Sequence, residues 1–240
     1  MPTESTDRRR RTPEQHRARA ERILDAAAEL IVRWGYDKTT LDDVSRHAGV
    51  AKGTIYLHWK SREALFTALL RRERVLMLEA VRLRVTGHAE PVGGLVRRLA
   101  LEMLQRPLLK ALLLGDRDML GALLRHKRIS PEAAETMSTA FAAYLDVLRE
   151  HGLVRSDLTP AEQLNVIDTA FYGFFHAPAL PGPFHLDIER RAALLAETVQ
   201  RTLGSGRPVT PESSAQVAEA TARYLDRALE IARRKLEDSL

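Results

Sequence analysis

Apolar residues recur at intervals of three and four along most of the chain, and no run alternates with a period of two. Spacings of three and four return side chains to one face of a helix, whereas a half-buried strand needs alternation. The pattern therefore predicts an all-α fold. Ile23, Ala27, Leu30 and Trp34 mark the inner face of a first helix, and Leu145, Leu148 and Gly152 close one that begins at Pro131. Thr12-Pro13, Ser130-Pro131, Thr159-Pro160 and Thr210-Pro211 each set a capping hydroxyl before a proline suited to the first helical position. Thr12 with Gln15, and Thr159 with Glu162, also have the reciprocal capping-box spacing. Helices are predicted over 13–34, 41–47, 52–58, 62–86, 95–105, 108–127, 131–151, 160–176, 186–203 and 211–238. A break is expected from Gly87 to Gly94, and a flexible link over Gly204-Ser205-Gly206-Arg207-Pro208.

Between the first and fourth of these helices lies the stretch TTLDDVSRHAGVAKGTIYLHWK, Thr39 to Lys60, which reads as two short helices around a glycine turn. Thr40 can cap a helix opening at Leu41, with Asp42 and Asp43 near its positive end. Leu41, Val44 and Ala48 form a narrow apolar stripe. Gly49 can take the left-handed conformation that ends the helix, and Val50 can plug the angle between the two. In the second helix Ile55 and Trp59 face inward, leaving Lys52, Gly53, Thr54, Tyr56 and His58 outward. A glycine near the start of a helix normally costs stability, but it lets backbone approach a phosphate or base edge closely. This is the layout of a helix-turn-helix, and it points to double-stranded DNA.

Bulk properties narrow the field without deciding it. The 240 residues can bury a sizeable core as one large or two small domains. A net charge of +5 is compatible with a nucleic-acid partner. Without cysteine there is no disulfide and no cysteine-ligated metal, which fits a reducing cytoplasm. No apolar run is long enough to span a bilayer, and no hydrophobic signal region follows the arginine-rich start. A cytoplasmic protein without membrane contact is expected. The eight histidines are scattered, and there is no His-Glu-x-x-His, phosphate loop or cysteine nucleophile, so neither an enzyme nor a cofactor is expected.

The first 70 or so residues closely resemble the TetR family of bacterial transcriptional regulators. The resemblance rests on Gly35-Tyr36, Thr39-Thr40, Ala48-Gly49-Val50, Gly53, Ile55-Tyr56, His58-Trp59 and Leu65, all in register. It implies phosphate contacts from Thr39 or Thr40, Tyr56, His58 and Lys60, with Arg62 keeping the charge of the family's usual lysine. It also implies that Lys52, Gly53 and Thr54 lie against base edges, where sequence is read. Ala51 departs from the family's usual Ser or Thr and forfeits a cap worth about 1 kcal/mol. Ser45 stands where alanine is common.

The resemblance further implies a homodimeric repressor on a palindromic operator, with a larger helical domain that dimerises and holds a small-molecule effector. The expected division is a basic tail over 1–11, the DNA-binding domain over 12–60, the effector and dimerisation domain over 61–204, and a linker with an additional helix over 205–240. Pocket candidates are Met103, Met119, Phe141, Tyr144, Phe171, Tyr172 and Phe175, though plain core packing explains each of them more readily. His176 could bond a ligand oxygen or satisfy carbonyls at a helix end. With few aromatics, an aliphatic Leu/Met-lined cavity is expected rather than a cage for flat cations. Dimerisation is placed on 160–176 and 186–203 as a four-helix bundle, with Arg190 and Arg191 toward solvent. Val217, Thr221, Tyr224, Ala228 and Ile231, beside Leu225, Leu229, Ala232 and Leu236, give the last helix a wide apolar face. That face must dock on its own subunit or extend the dimer interface. Arg8 to Arg11 could be a DNA-contacting arm or a plain tail, and Arg125-His126-Lys127-Arg128 is read as a solvated helix end. A regulator acting without an effector, constitutively, as an activator or through a protein partner, is the competing expectation.

Overall fold

A buried seam of aliphatic and aromatic side chains joins the four N-terminal helices. The computed structural model describes residues 13–85, 91–126, 131–176 and 186–240. Within them are α1 (Pro13–Trp34), α2 (Leu41–His47), α3 (Lys52–His58), α4 (Arg62–Leu83), α5 (Val92–Leu104) and α6 (Pro107–Leu114). There follow α7 (Arg117–Leu120), a 3₁₀ segment (Gly121–His126), α8 (Pro131–Glu150), α9 (Pro160–His176), α10 (Ile188–Leu203) and α11 (Pro211–Glu237). The described residues contain no strand, only an isolated antiparallel bridge between Val154 and Gly204. The all-α expectation holds.

Two buried clusters organise these helices. The first takes Ile23, Leu24, Ala27 and Ile31 from α1, Val44 from α2, Ile55 from α3 and Trp59 just beyond it. It also recruits Leu65, Phe66 and Leu69 from the start of α4, and Leu108, Ala111 and Leu120 from α6 and α7. The second cluster joins the rest of α4 to α5, α8, α9, α10 and α11. Packing therefore does not change hands at residue 60: α4 starts in one core and ends in the other.

Three boundaries differ from the sequence reading. The expected break through Gly94 is wrong, because α5 opens at Val92 and carries Gly93 inside it. A Cβ on Gly93 would run into the Ala196 carbonyl, so this glycine lets α5 and α10 approach closely. The helix expected over 108–127 is split, since Gly115 adopts φ +65° and ends α6, and Asp116 caps α7 by accepting from the Met119 N–H at 3.0 Å. The link after Gly204 is pinned rather than loose: Ser205 N–H donates to the Leu153 carbonyl at 3.1 Å, and Arg155 N–H to that of Leu203 at 2.8 Å.

The last helix, α11, lies on its own chain against α4 and α8 and buries Val217, Thr221, Leu225, Ala228, Leu229 and Ala232. Burying a leucine fully is worth about 1.5–3 kcal/mol, so this face alone accounts for the docking. Polar contacts fix its register: Arg82 pairs with Asp226 at 2.8 Å, Arg233 with Glu79 at 2.7 Å, and Arg71 donates to the Lys235 carbonyl at 2.9 Å. Leu240 then packs against the N-terminal cluster. The C-terminal segment thus touches both cores.

Candidate nucleic-acid interface and effector site

The two short helices are set by caps and plugs that the letters specify. Thr40 Oγ1 accepts from the Asp43 N–H at 3.2 Å while the Asp43 carboxylate accepts from the Thr40 N–H at 3.2 Å, a full capping box. These hydrogen bonds from Thr40 hold the Asp43 carboxyl below its ordinary range. Gly49, at φ +63°, turns the chain after α2, and Val50 N–H donates to the Ser45 carbonyl at 3.0 Å. Ala51 supplies no side-chain cap to α3, as the missing hydroxyl dictates. Ile55 and Trp59 are fully buried and anchor α3 from beneath.

The opposite face of α3 is open. Lys52, Gly53, Tyr56, Leu57 and Lys60 are exposed, and Thr54 is half-buried. Gly53 has no reason within the fold: its φ is not positive, and a Cβ there would meet nothing within 4 Å. Alanine would favour the helix by about 1 kcal/mol, so the glycine suits a partner that comes close from outside. Lys52 Nζ rests on Asp42 at 2.8 Å, a hydrogen bond that raises its pKa and keeps it charged. An exposed pair of this kind contributes little to stability and is readily exchanged for another anion.

Three expected contacts are turned elsewhere. Thr39 is fully buried and donates from Oγ1 to the Gly35 carbonyl at 2.8 Å, so it holds the turn before α2 and presents nothing to a phosphate. The Arg62 guanidinium lies 3.9 Å from the Tyr36 ring centroid and donates to the Tyr36 carbonyl, tying α4 to the end of α1. His58 is half-buried, its ring 3.9 Å from that of His16 and 5.2 Å from that of Trp59, with Nδ1 buried and unpartnered among the described residues. Burial first, then His16 and Arg19, pushes the His58 pKa down to about 4. Trp34, expected on the inner stripe, projects at 42% exposure from the end of α1, with the Arg33 guanidinium 5.9 Å from its ring.

Sequence spacing gave no sign of His16 and Arg19, which stand beside α3 only in the fold. Nor did it single out Arg72, which is almost fully buried and pairs with Glu21 at 3.1 Å and Asp25 at 2.7 Å. Both carboxylates lie on α1, so Arg72 fastens the long α4 to the first helix. The basic arm at Arg8 to Arg11, the cap at Thr12, and Lys127 and Arg128 lie outside the described residues.

Of the pocket candidates, Tyr144 and Phe175 are buried in the second core, with Met103 and Phe171 half-buried against it. Met119 belongs to the other cluster, and its carbonyl accepts the Tyr36 N–H at 2.7 Å. Tyr172 faces outward at 46% exposure. The side chain of His176 lies outside the described residues. Phe141, also buried in the second core, lines an open groove of about 460 Å³ between α8 and α9. Ser138, Ala142, Pro160, Leu164, Asn165 and Asp168 are among its other walls, so it is neither Leu/Met-lined nor wholly aliphatic. Arg191, expected toward solvent, donates to the Phe174 carbonyl at 2.6 Å and joins α10 to the end of α9.

No three described His, Asp or Glu side chains are grouped to hold a metal, and no described helix is long and apolar enough to cross a membrane. Residues 23–69 match the model of the bacterial regulatory proteins of the tetR family. The HTH-type transcriptional regulator YvdT of Bacillus subtilis is 36% identical over 75 residues, which cover 31% of this chain and 39% of that protein. A fatty acid metabolism regulator protein of the same species is 27% identical over 135 residues, covering 56% and 66% respectively. The matched stretches therefore span less than two thirds of these relatives. Among solved structures, a transcriptional regulator of Saccharomonospora viridis in complex with choline superposes with a TM-score of 0.59 at 20% identity, over 79% of this chain and 99% of that one.

Proposed function

We propose that this chain, which belongs to the TetR family of bacterial regulatory proteins, is a sequence-specific transcriptional regulator working as a homodimeric repressor that a small molecule releases from a palindromic operator. The observation that carries the reading is the open face of α3. Lys52, Gly53 and Thr54 would lie against base edges, with Thr40, Tyr56 and Lys60 on flanking phosphates. Arg62 and His58 would act by holding α3 and α4 in place for those contacts. Two heads related by a twofold axis would meet half-sites about one helical turn apart.

The exposed Thr169 and Tyr172 of α9 support a dimer surface there, continued on α10. The groove beside α9 supports an effector site, and α4, shared between the two cores, supports a lever from one to the other. Ligand binding would act through its different affinity for the two positions of that lever. The competing reading, a regulator without an effector, has in its favour that Tyr144 and Phe175 fill core rather than line space. The test begins with selection of a duplex from a random pool by the full chain. Footprinting of that duplex should show two inverted half-sites, and sedimentation should give a dimer that Tyr172→Glu splits. Selection of no consensus would overturn the DNA reading.

A further inference from the structure

The groove between α8 and α9 combines one carboxylate with an aromatic base. Asp168, on α9, is the only ionisable side chain in its lining. It stands exposed on α9 with no hydrogen bond or ion pair among the described residues, and partial desolvation raises its pKa. Phe141, from α8, forms the facing wall. Its ring is backed by Tyr144 at 5.5 Å and Tyr224 at 5.2 Å, and those two tyrosines stack at 6.1 Å. Tyr224, whose hydroxyl feels Asp168 on one side and Arg74 of α4 on the other, has its pKa pushed up to about 12, mainly by burial.

Each candidate ligand class can be weighed against that lining. An anion would meet the Asp168 carboxylate and the negative faces of the rings. A neutral molecule would strip water from Asp168 and return nothing, leaving a desolvated charge. A monocation would neutralise the carboxylate and gain a cation–π contact with the ring beside it. Leu164, Ala142 and Pro160 offer apolar wall for a hydrocarbon body, and Ser138 and Asn165 offer polar groups at the rim. At about 460 Å³ the groove has the size of a small-molecule site and is open to solvent.

We propose that this groove binds an organic monocation, a quaternary or protonated amine with an apolar body, its charge held by Asp168 beside the ring of Phe141. The proposal rests on the regulator reading for its purpose and names the ligand class of that effector site. It replaces the aliphatic, cation-averse cavity expected from composition.

The test uses three probes of matched shape, benzyltrimethylammonium, benzyl alcohol and phenylacetate, titrated calorimetrically into the full chain and into Asp168→Asn. The cation should bind about tenfold more tightly than the other two, and Asp168→Asn should remove that advantage while leaving thermal stability and benzyl alcohol binding unchanged. Undetectable cation binding, preference for phenylacetate, or an advantage that survives Asp168→Asn would each overturn the proposal. So would a groove closed by a second copy, seen as a dimer that Leu164→Glu dissociates and that excludes the cation. Binding of the selected duplex is measured beside these titrations. Intact DNA binding with no cation effect sinks only this proposal. A chain that binds the cation at Asp168 but no duplex keeps this site and sinks the regulator reading.

Discussion

Two amphipathic helices treat their side chains in opposite ways. In α11, 27 residues long, nearly every residue of the apolar face is buried against α4 and α8, and the polar side forms ion pairs that fix its register. In α3, seven residues long, only Ile55 is buried, while Tyr56 and Leu57 are exposed, Gly53 serves no internal need and the first turn lacks a side-chain cap. A helix that spends its groups internally is explained by stability. One that leaves them unused is explained by something outside the molecule.

Core substitutions in α11 should have the largest effect on stability. Leu225 is fully buried, so Leu225→Ala should cost about 2–5 kcal/mol, read from chemical denaturation. A loss below about 1 kcal/mol would mean that α11 is only laid on the surface. Next in size is Arg72→Ala, which removes the tie between α4 and α1. A loss of about 1–3 kcal/mol is expected, short of a fully buried pair because Glu21 and Asp25 remain half-exposed.

A smaller change should move stability and binding in opposite directions. Gly53→Ala should stabilise the free protein by about 1 kcal/mol while weakening DNA binding, because the added methyl stands where a base or phosphate would approach. Stabilisation with undiminished binding would show that nothing comes close to Gly53. Stability should also respond to pH. His58 in the folded chain has its pKa lowered from 6.5 to about 4, so between those values the unfolded chain binds more protons. The contribution is fully present above pH 6.5 and lost as pH falls toward 4. Thermal melts across this window should show that decline, with His58→Phe flattening it. An unchanged slope would place the titration elsewhere.

The helices and the open face of α3 were largely legible because local chemistry writes them. Hydroxyl-proline pairs, the Thr40 cap, Gly49 and the Ile55–Trp59 stripe all act within a few residues of chain. What was missed depends on approach between distant segments. Gly93 looked like a breaker because its partner, Ala196, lies about a hundred residues further on. Thr39 and Thr40 are adjacent letters, yet one closes a buried turn on Gly35 and the other caps an exposed helix. Arg62 and His58 look outward on a helical wheel, but neighbours from α1 and the turn after it turn them in. The aromatic candidates were hard to separate for a plainer reason: Phe141, Tyr144 and Phe175 are all buried in one core, and only packing shows that Phe141 also reaches a groove.

The account stands on α3 as the surface that reads DNA. Fluorescence anisotropy with the duplex selected by the wild-type chain should show Lys52→Ala and Tyr56→Ala each weakening binding by about tenfold or more. Their melting temperatures should stay near that of the parent, because neither side chain is buried. Undiminished binding by both variants, with the fold intact, would contradict the account and move the DNA contact elsewhere.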